Sequence, residues 1–141
     1  MIAFPTDPWF KALVERINGS GEYREAAADW EGDICFVIEA EPDRRLPEDV
    51  WGYLDLWHGT CRGGGLVTPI RGEGARYTIR APYSRWKEVL RGELDPVKGM
   101  MQGKLKVQGD LPTIVRYVRA ASELVHLTGT IETSFPDEAV E

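Results

Sequence analysis

The sequence predicts an α+β domain in which helices pack on a mostly antiparallel sheet. Apolar residues recur at helical spacing in residues 9–17 and 111–125, near the two ends of the chain, and at alternate positions in residues 34–81. The chain has 141 residues, of which 43% are hydrophobic and 28% charged. This length and composition predict one domain that spans residues 1–141 and can bury its own core.

Two helices are predicted before the first strand. Asp7 is expected as the N-cap of the first helix, with Pro8 at its first position, and Ser20 as the N-cap of the second. Strands follow in residues 34–81, where the alternating pattern and the intervening turns predict a meander of four antiparallel strands. In the first of these strands, Ile34, Phe36 and Ile38 share one face.

The second half of the chain returns to helical periodicity. Ser84 and Asp95 are expected to cap two short helices, and residues 104–108 form a short fifth strand. A last helix is predicted to run unbroken from Asp110 past Val125, with an apolar stripe wider than packing on a sheet requires. The acidic tail from Pro136 is expected to fray.

Charge is unevenly distributed along the chain. The formal net charge is -6, which argues against a nucleic-acid partner, but residues 61–119 contain 12 basic and 5 acidic side chains. This basic block either mixes with acidic side chains on the folded surface or attracts an anionic partner. With two cysteines, no export signal and no long apolar stretch, the sequence predicts a reduced, cytoplasmic location.

Catalytic and metal-binding patterns are weak. His58 and Cys61 are three residues apart across a predicted hairpin turn, where their side chains need not meet, and zinc usually takes at least three protein ligands. The glycines of residues 63–65 lack the Gly-Lys-Ser/Thr continuation of a phosphate-binding loop. We therefore predict no enzyme activity, metal or cofactor, and an enzyme would need a polar group such as His58 or Cys61 to open into the cavity.

The most distinctive segment is residues 99–110, with the sequence GMMQGKLKVQGD. It places two methionines on a short helix bounded by glycines, and methionine adapts to varied partners. This segment resembles the hallmark motif of the sterol carrier protein 2 (SCP2) family. The order of helices and strands around it also resembles that family, in its stand-alone prokaryotic form.

The resemblance implies a five-stranded sheet covered by helices, with an apolar tunnel between the two layers. It also implies non-enzymatic binding or transfer of a lipid inside the cell: a fatty acid, a fatty acyl-CoA, a phospholipid or a sterol-like ligand. Each predicted ligand-binding position is also compatible with ordinary core packing. These positions are Phe36, Ile38, Leu56, Met100, Met101, Gln102, Leu105, Ile114, Val115, Val118, Leu124 and Val125.

Other partners remain open at this level. The basic block could attract a carboxylate, the phosphates of CoA or, in a transient contact, an anionic membrane surface. Its main candidates are Lys98, Lys104, Lys106, Arg116 and Arg119. An accessory domain that presents a lipid or isoprenoid intermediate to a partner enzyme is the alternative function.

Overall fold

The computed structural model describes residues 1–138 of the chain. The helices are α1 (Asp7–Asn18), α2 (Gly21–Ala26), α3 (Pro69–Glu73), α4 (Tyr83–Leu90), α5 (Pro96–Met101), α6 (Leu111–Val115) and α7 (Val118–Gly129). The strands are β1 (Ile2–Ala3), β2 (Ile34–Glu39), β3 (Val50–Trp57), β4 (Thr60–Leu66), β5 (Tyr77–Pro82), β6 (Lys106–Gln108) and β7 (Thr133–Ser134). Short 3-10 turns occupy Pro42–Arg44 and Pro136–Glu138.

Five strands form one sheet in the order β4-β3-β2-β5-β6. Strands β2, β3 and β4 are an antiparallel meander, and β5 pairs antiparallel with β6. The α+β class and the mostly antiparallel five-stranded sheet are therefore confirmed. The predicted meander of four strands is wrong, because β5 lies beside β2 and runs parallel to it, with Ile34 opposite Tyr77.

The parallel pair exists because the chain crosses the sheet between β4 and β5. A parallel neighbour requires a crossover connection, and α3 lies in this one. Gly72 of α3 packs so closely that an added Cβ would come within 2.6 Å of the Trp51 ring and 2.7 Å of Cys35 Sγ. The crossover thus covers a small apolar cluster of Cys35, Val37 and Trp51 on the outer face.

The main core lies on the opposite face, between the sheet and helices α1, α4, α5, α6 and α7. The side chains of β2 point alternately to the two faces of the sheet. Ile34 and Ile38 therefore belong to the main core, whereas Cys35 and Val37 belong to the outer cluster.

Close approach of α1 to the sheet explains Gly52 of β3 and Gly64 of β4. The Phe10 ring lies over Gly52, where an added Cβ would come within 2.1 Å of Phe10 Cζ. A Cβ on Gly64 would come within 2.9 Å of a Val14 methyl carbon. The glycine-rich run of β4 therefore admits a helix, as expected for a closely approached strand.

The structure confirms two of the four predicted helix N-caps. Ser20 Oγ accepts from the Tyr23 amide at 3.0 Å, and Asp95 accepts from the Val97 and Lys98 amides, so both N-caps are confirmed. The predicted caps Asp7 and Ser84 are wrong. The first helix is capped by Thr6, one residue earlier, and Ser84 lies inside α4, where its amide donates to Glu41 Oε1 at 2.7 Å.

The last helix is not continuous, contrary to the prediction. Tyr117 adopts φ -104° and ψ 43°, which separates α6 from α7. Its ring packs edge-on against Trp30 at a centroid distance of 5.0 Å. The sequence pattern missed this break because apolar spacing continues across it.

The two ends of the described chain meet in a small parallel pair, β1 with β7. Beyond β7, Asp137 forms ion pairs with Arg44 and Lys87. The predicted fraying of the acidic tail is therefore wrong for residues 136–138, and residues 139–141 lie outside the described part of the chain.

Candidate functional site

An apolar cavity of about 130 Å³ lies between the sheet and the helices of the main core. Strands β2, β3 and β5 contribute one wall, and α1, α4, α5, α6 and α7 contribute the others. The lining residues are Phe4, Trp9, Phe10, Leu13, Ile34, Phe36, Ile38, Leu54, Ile79, Trp86, Val89, Leu90, Pro96, Met100, Leu105, Ile114, Ala121, Leu124, Val125 and Thr128.

Strand β2 supplies the central part of the sheet wall through three alternate side chains, Ile34, Phe36 and Ile38. Trp86 of α4 stands against this wall with its ring edge-on to Phe36, at a centroid distance of 5.6 Å. Its indole Nε1 donates to the Val37 carbonyl at 3.0 Å. The bond satisfies the one polar atom of Trp86, so the cavity keeps an apolar surface there.

Aromatic side chains form the wall near the chain ends. Phe4 packs edge-on against Trp9 at 4.7 Å between ring centroids, and Trp9 against Phe10 at 5.1 Å. Trp9 Nε1 donates to Thr133 Oγ1 at 3.0 Å, which ties this wall to β7. The wall thus depends on both ends of the described chain.

The lining carries no titratable side chain. Its single hydroxyl, on Thr128, donates to the Val125 carbonyl within α7 at 2.6 Å. Residues 1–138 also hold no group of three or more His, Cys, Asp or Glu side chains that suits a metal ion. The cavity can therefore hold an apolar molecule but offers no acid, base or nucleophile of its own.

The structure brings seven of the twelve predicted ligand-binding residues to this cavity. They are Phe36, Ile38, Met100, Leu105, Ile114, Leu124 and Val125. These residues lie on β2, α5, α6, α7 and the segment before β6. Well-separated parts of the sequence therefore meet at the cavity.

The other five predicted residues do not line the cavity. Leu56 is buried elsewhere in the core, and Val115 packs at its edge. Met101 is 66% exposed, because neighbouring helix positions differ by about 100° and Met100 takes the inward one. Gln102 is also exposed. Val118 is 46% exposed, since the break at Tyr117 turns it away from the stripe on α6.

Sequence reasoning missed the contribution of α1 and α4. Trp9, Phe10 and Leu13 form the apolar stripe of α1, and Trp86 and Leu90 lie on α4. Their periodicity marks an inward face but cannot tell solid core from cavity wall. Phe4 precedes the first helix, where no periodic signal is available.

His58 and Cys61 do not form a catalytic pair at this cavity, since neither residue lines it. His58 Nε2 lies 2.5 Å from Glu31 Oε2 at the surface, and Cys61 Sγ donates to the Gly63 carbonyl at 3.2 Å. Burial is the main cause that raises the pKa of the Cys61 thiol. Neither His58 nor Cys61 therefore opens into this cavity.

The sequence matches the model of the SCP-2 sterol transfer family over residues 10–122. The chain belongs to this family. The predicted resemblance is thereby confirmed, and the fold agrees with solved members. Family membership supports lipid binding or transfer as the general function.

Solved structures give the same result. A crystal structure of sterol carrier protein 2 is 37% identical, with a TM-score of 0.80, over 89% of this chain and 97% of the other. A Thermus thermophilus protein, a candidate sterol carrier protein, is 36% identical with a TM-score of 0.81, over 92% and 90%. Sterol carrier protein 2 of Yarrowia lipolytica, 18% identical with a TM-score of 0.58 over 86% and 90%, shares the fold.

No curated protein matches the sequence. Within residues 1–138, none of the helices has the length and apolar character needed to cross a bilayer.

Proposed function

We propose that the protein binds a lipid non-enzymatically by taking its acyl chain into the cavity between the sheet and the helices. The observation that carries this proposal is the apolar cavity between the sheet and the helices, where the single hydroxyl of the lining already donates to a backbone carbonyl. Each methylene removed from water contributes about 0.8 kcal/mol to the binding free energy, so an acyl chain needs few polar contacts to bind.

Binding a whole chain requires the cavity to expand. Its volume of about 130 Å³ is close to that of engineered cavities that admit benzene, whereas ligand pockets usually span about 300–1,000 Å³. Met100 is a flexible lining residue on α5, a short helix that packs against both α6 and α7. We infer that α5, α6 and α7 move outward when an acyl chain enters the cavity.

A pair of tryptophan substitutions on α7 tests the site. Val125 lines the cavity, whereas Val118, on the same helix, is largely exposed. We expect Val125→Trp to fill the cavity and to weaken dodecanoate binding about tenfold or more, while Val118→Trp binds like the unaltered protein. Titration calorimetry measures both, and circular dichroism checks that each variant is folded.

Mass spectrometry of organic extracts from the purified protein provides the complementary observation. Co-purified lipid that is depleted in Val125→Trp supports the proposal. An unaltered protein that yields no lipid and gains no thermal stability from dodecanoate contradicts it, and equal binding by the two tryptophan variants places the site elsewhere.

A transient contact with anionic membranes fits the surface near α5, β6 and α7. Lys98, Lys104, Lys106, Arg116 and Arg119 form no ion pair within residues 1–138, unlike several other cations of the basic block. Met101 and Val118 supply exposed apolar groups on α5 and α7. Co-sedimentation with anionic vesicles that weakens as salt rises supports this contact, and binding indifferent to salt and lipid charge contradicts it.

A further inference from the structure

A cluster of three cations lies beside α4, at the end of the cavity where Phe4 is located. Lys87 and Arg91 are one turn apart on and just after α4, and Arg44 comes from the 3-10 turn before β3. The Lys87 side chain is only 14% exposed. A partly buried cation is costly without an anionic partner, so this position requires a negative group beside it.

Two carboxylates of the segment after β7 supply this negative charge beside Lys87. Asp137, whose side chain is 13% exposed, accepts from Tyr83 Oη at 2.7 Å, from Lys87 Nζ at 3.1 Å and from Arg44 at 3.2 Å. Glu138 forms ion pairs with Lys87 and Arg91. Arg44 also lies 3.7 Å from Glu41 within its own turn.

The cation cluster adjoins the cavity through α4 and two phenylalanines. Trp86, Val89 and Leu90, on the same helix as Lys87, line the cavity. The Phe135 ring lies 5.3 Å from Lys87 Nζ and 5.5 Å from the Arg91 guanidinium carbon. It also packs edge-on against Phe4, a lining residue, at 6.1 Å.

The segment 135–138 therefore has the arrangement of an anionic amphiphile. Its apolar group, Phe135, lies toward the cavity wall, and two carboxylates follow among donors. A carboxylate or a phosphate presents the same acceptor oxygens to lysine and arginine donors.

We propose that Arg44, Tyr83, Lys87 and Arg91 form the headgroup site for a single-chain lipid with a carboxylate or phosphate head, and that Asp137 and Glu138 compete with this head. The lipid chain would enter the cavity past Phe4 while Phe135 moves aside. This inference rests on the proposed binding of a chain in the cavity and adds the charge of the ligand to it.

Three ligands with one chain length test the headgroup site: dodecanoate, dodecyl phosphate and the neutral dodecanol. We expect the full-length protein to bind at least one anionic ligand about tenfold more tightly than dodecanol, as measured by titration calorimetry. The more tightly bound anion identifies the carboxylate or the phosphate as the preferred head.

Variants show whether these cations bind a lipid headgroup or only hold the segment 135–138 in place. In Asp137→Asn/Glu138→Gln the competing charges are removed, and we expect anion affinity to rise several-fold while dodecanol affinity stays the same. Lys87→Met is expected to lose the preference for anions but to keep dodecanol binding. Arg91→Gln, at a more exposed position, repeats this test if Lys87→Met does not fold. Arg85→Gln is the control, because Arg85 lies on α4 but pairs with Glu88 instead.

The outcomes distinguish the two proposals. Equal affinity for all three ligands in the unaltered protein, or a preference for anions that the double variant and Lys87→Met leave unchanged, overturns the headgroup site but leaves chain binding intact. Failure of all three ligands to bind overturns the proposed function and the headgroup site together.

Discussion

At the scale of single residues, the shape of the cavity depends on one close contact between α1 and β3. The Phe10 ring lies directly over Gly52, and it also forms part of the cavity lining. Any side chain at position 52 must displace this ring, which is part of the cavity wall. Packing at Gly52 is therefore linked to the volume available to a ligand.

Gly52→Ala is expected to destabilise the fold by about 1–3 kcal/mol and to weaken dodecanoate binding, because the added Cβ displaces Phe10. Gly63→Ala in β4 is the matched control, since a Cβ there meets no heavy atom within 4 Å. Urea denaturation and calorimetry measure the two effects. Equal stabilities for the two variants would show that the Phe10 contact does not limit packing.

The ion pairs of Asp137 make stability depend on pH. Burial alone would raise the pKa of Asp137, but hydrogen bonds from Tyr83 and Lys87 outweigh it and hold the pKa below its ordinary value. The folded state therefore binds this proton less readily than the unfolded state does. The resulting stabilisation is complete above the unfolded pKa of about 3.9 and is lost as the pH falls through the folded pKa.

We expect the free energy of unfolding to fall as the pH is lowered below about 4, and to fall less steeply in Asp137→Asn. Urea denaturation of both proteins between about pH 6 and about pH 3 measures the difference. Parallel pH profiles would contradict the role given to Asp137.

At the scale of elements, two aspartates that look alike in the sequence have different roles. Asp95 and Asp110 each stand just before a short helix with a proline in its first turn. Asp95 accepts from two backbone amides of α5, whereas Asp110 makes no cap bond to α6 and instead accepts from Thr113 Oγ1 at 2.7 Å.

Asp95→Ala is therefore expected to cost about 0.5–2 kcal/mol of stability, as the loss of an N-cap does. Asp110→Ala is expected to change it by no more than about 0.5 kcal/mol. Because α5 carries Met100, we also expect Asp95→Ala to alter dodecanoate binding more than Asp110→Ala does. The reverse order of stabilities would contradict these assignments.

Local periodicity predicted most of these elements, since each of the longer helices buries one stripe and each strand alternates. It did not predict the parallel pairing of β2 with β5, which depends on where α3 crosses the sheet rather than on the strands themselves. Nor did it predict the break at Tyr117, because the contact with Trp30 that accompanies it is long-range.

The same distinction holds for the candidate site. Inward residues such as Phe36 and Ile114 follow from strand and helix spacing. Adjacent helix positions differ by about 100°, so spacing allows one of Met100 and Met101 to face inward but does not say which. The exposure of Val118 follows from the start of α7 after the break at Tyr117, which spacing does not fix.

At the scale of the whole molecule, the cavity is enclosed by both ends of the described chain. Phe4 follows β1, Thr133 begins β7, and both contact the aromatic wall around Trp9. The ion pairs of Asp137 and Glu138 with the cation cluster lie next to this wall. A ligand that displaced these two carboxylates would thus act on the contact between the chain ends.

The central claim is that an acyl chain occupies the space between the sheet and the helices. A fatty acid with a nitroxide near its chain end tests this directly, because the spin label broadens the NMR signals of nearby methyl groups. We expect stronger broadening at Ile38, Leu105 and Val125, which line the cavity, than at Val67 on the outer face. Broadening confined to Val67, or to exposed Val118 and Met101, would contradict the claim.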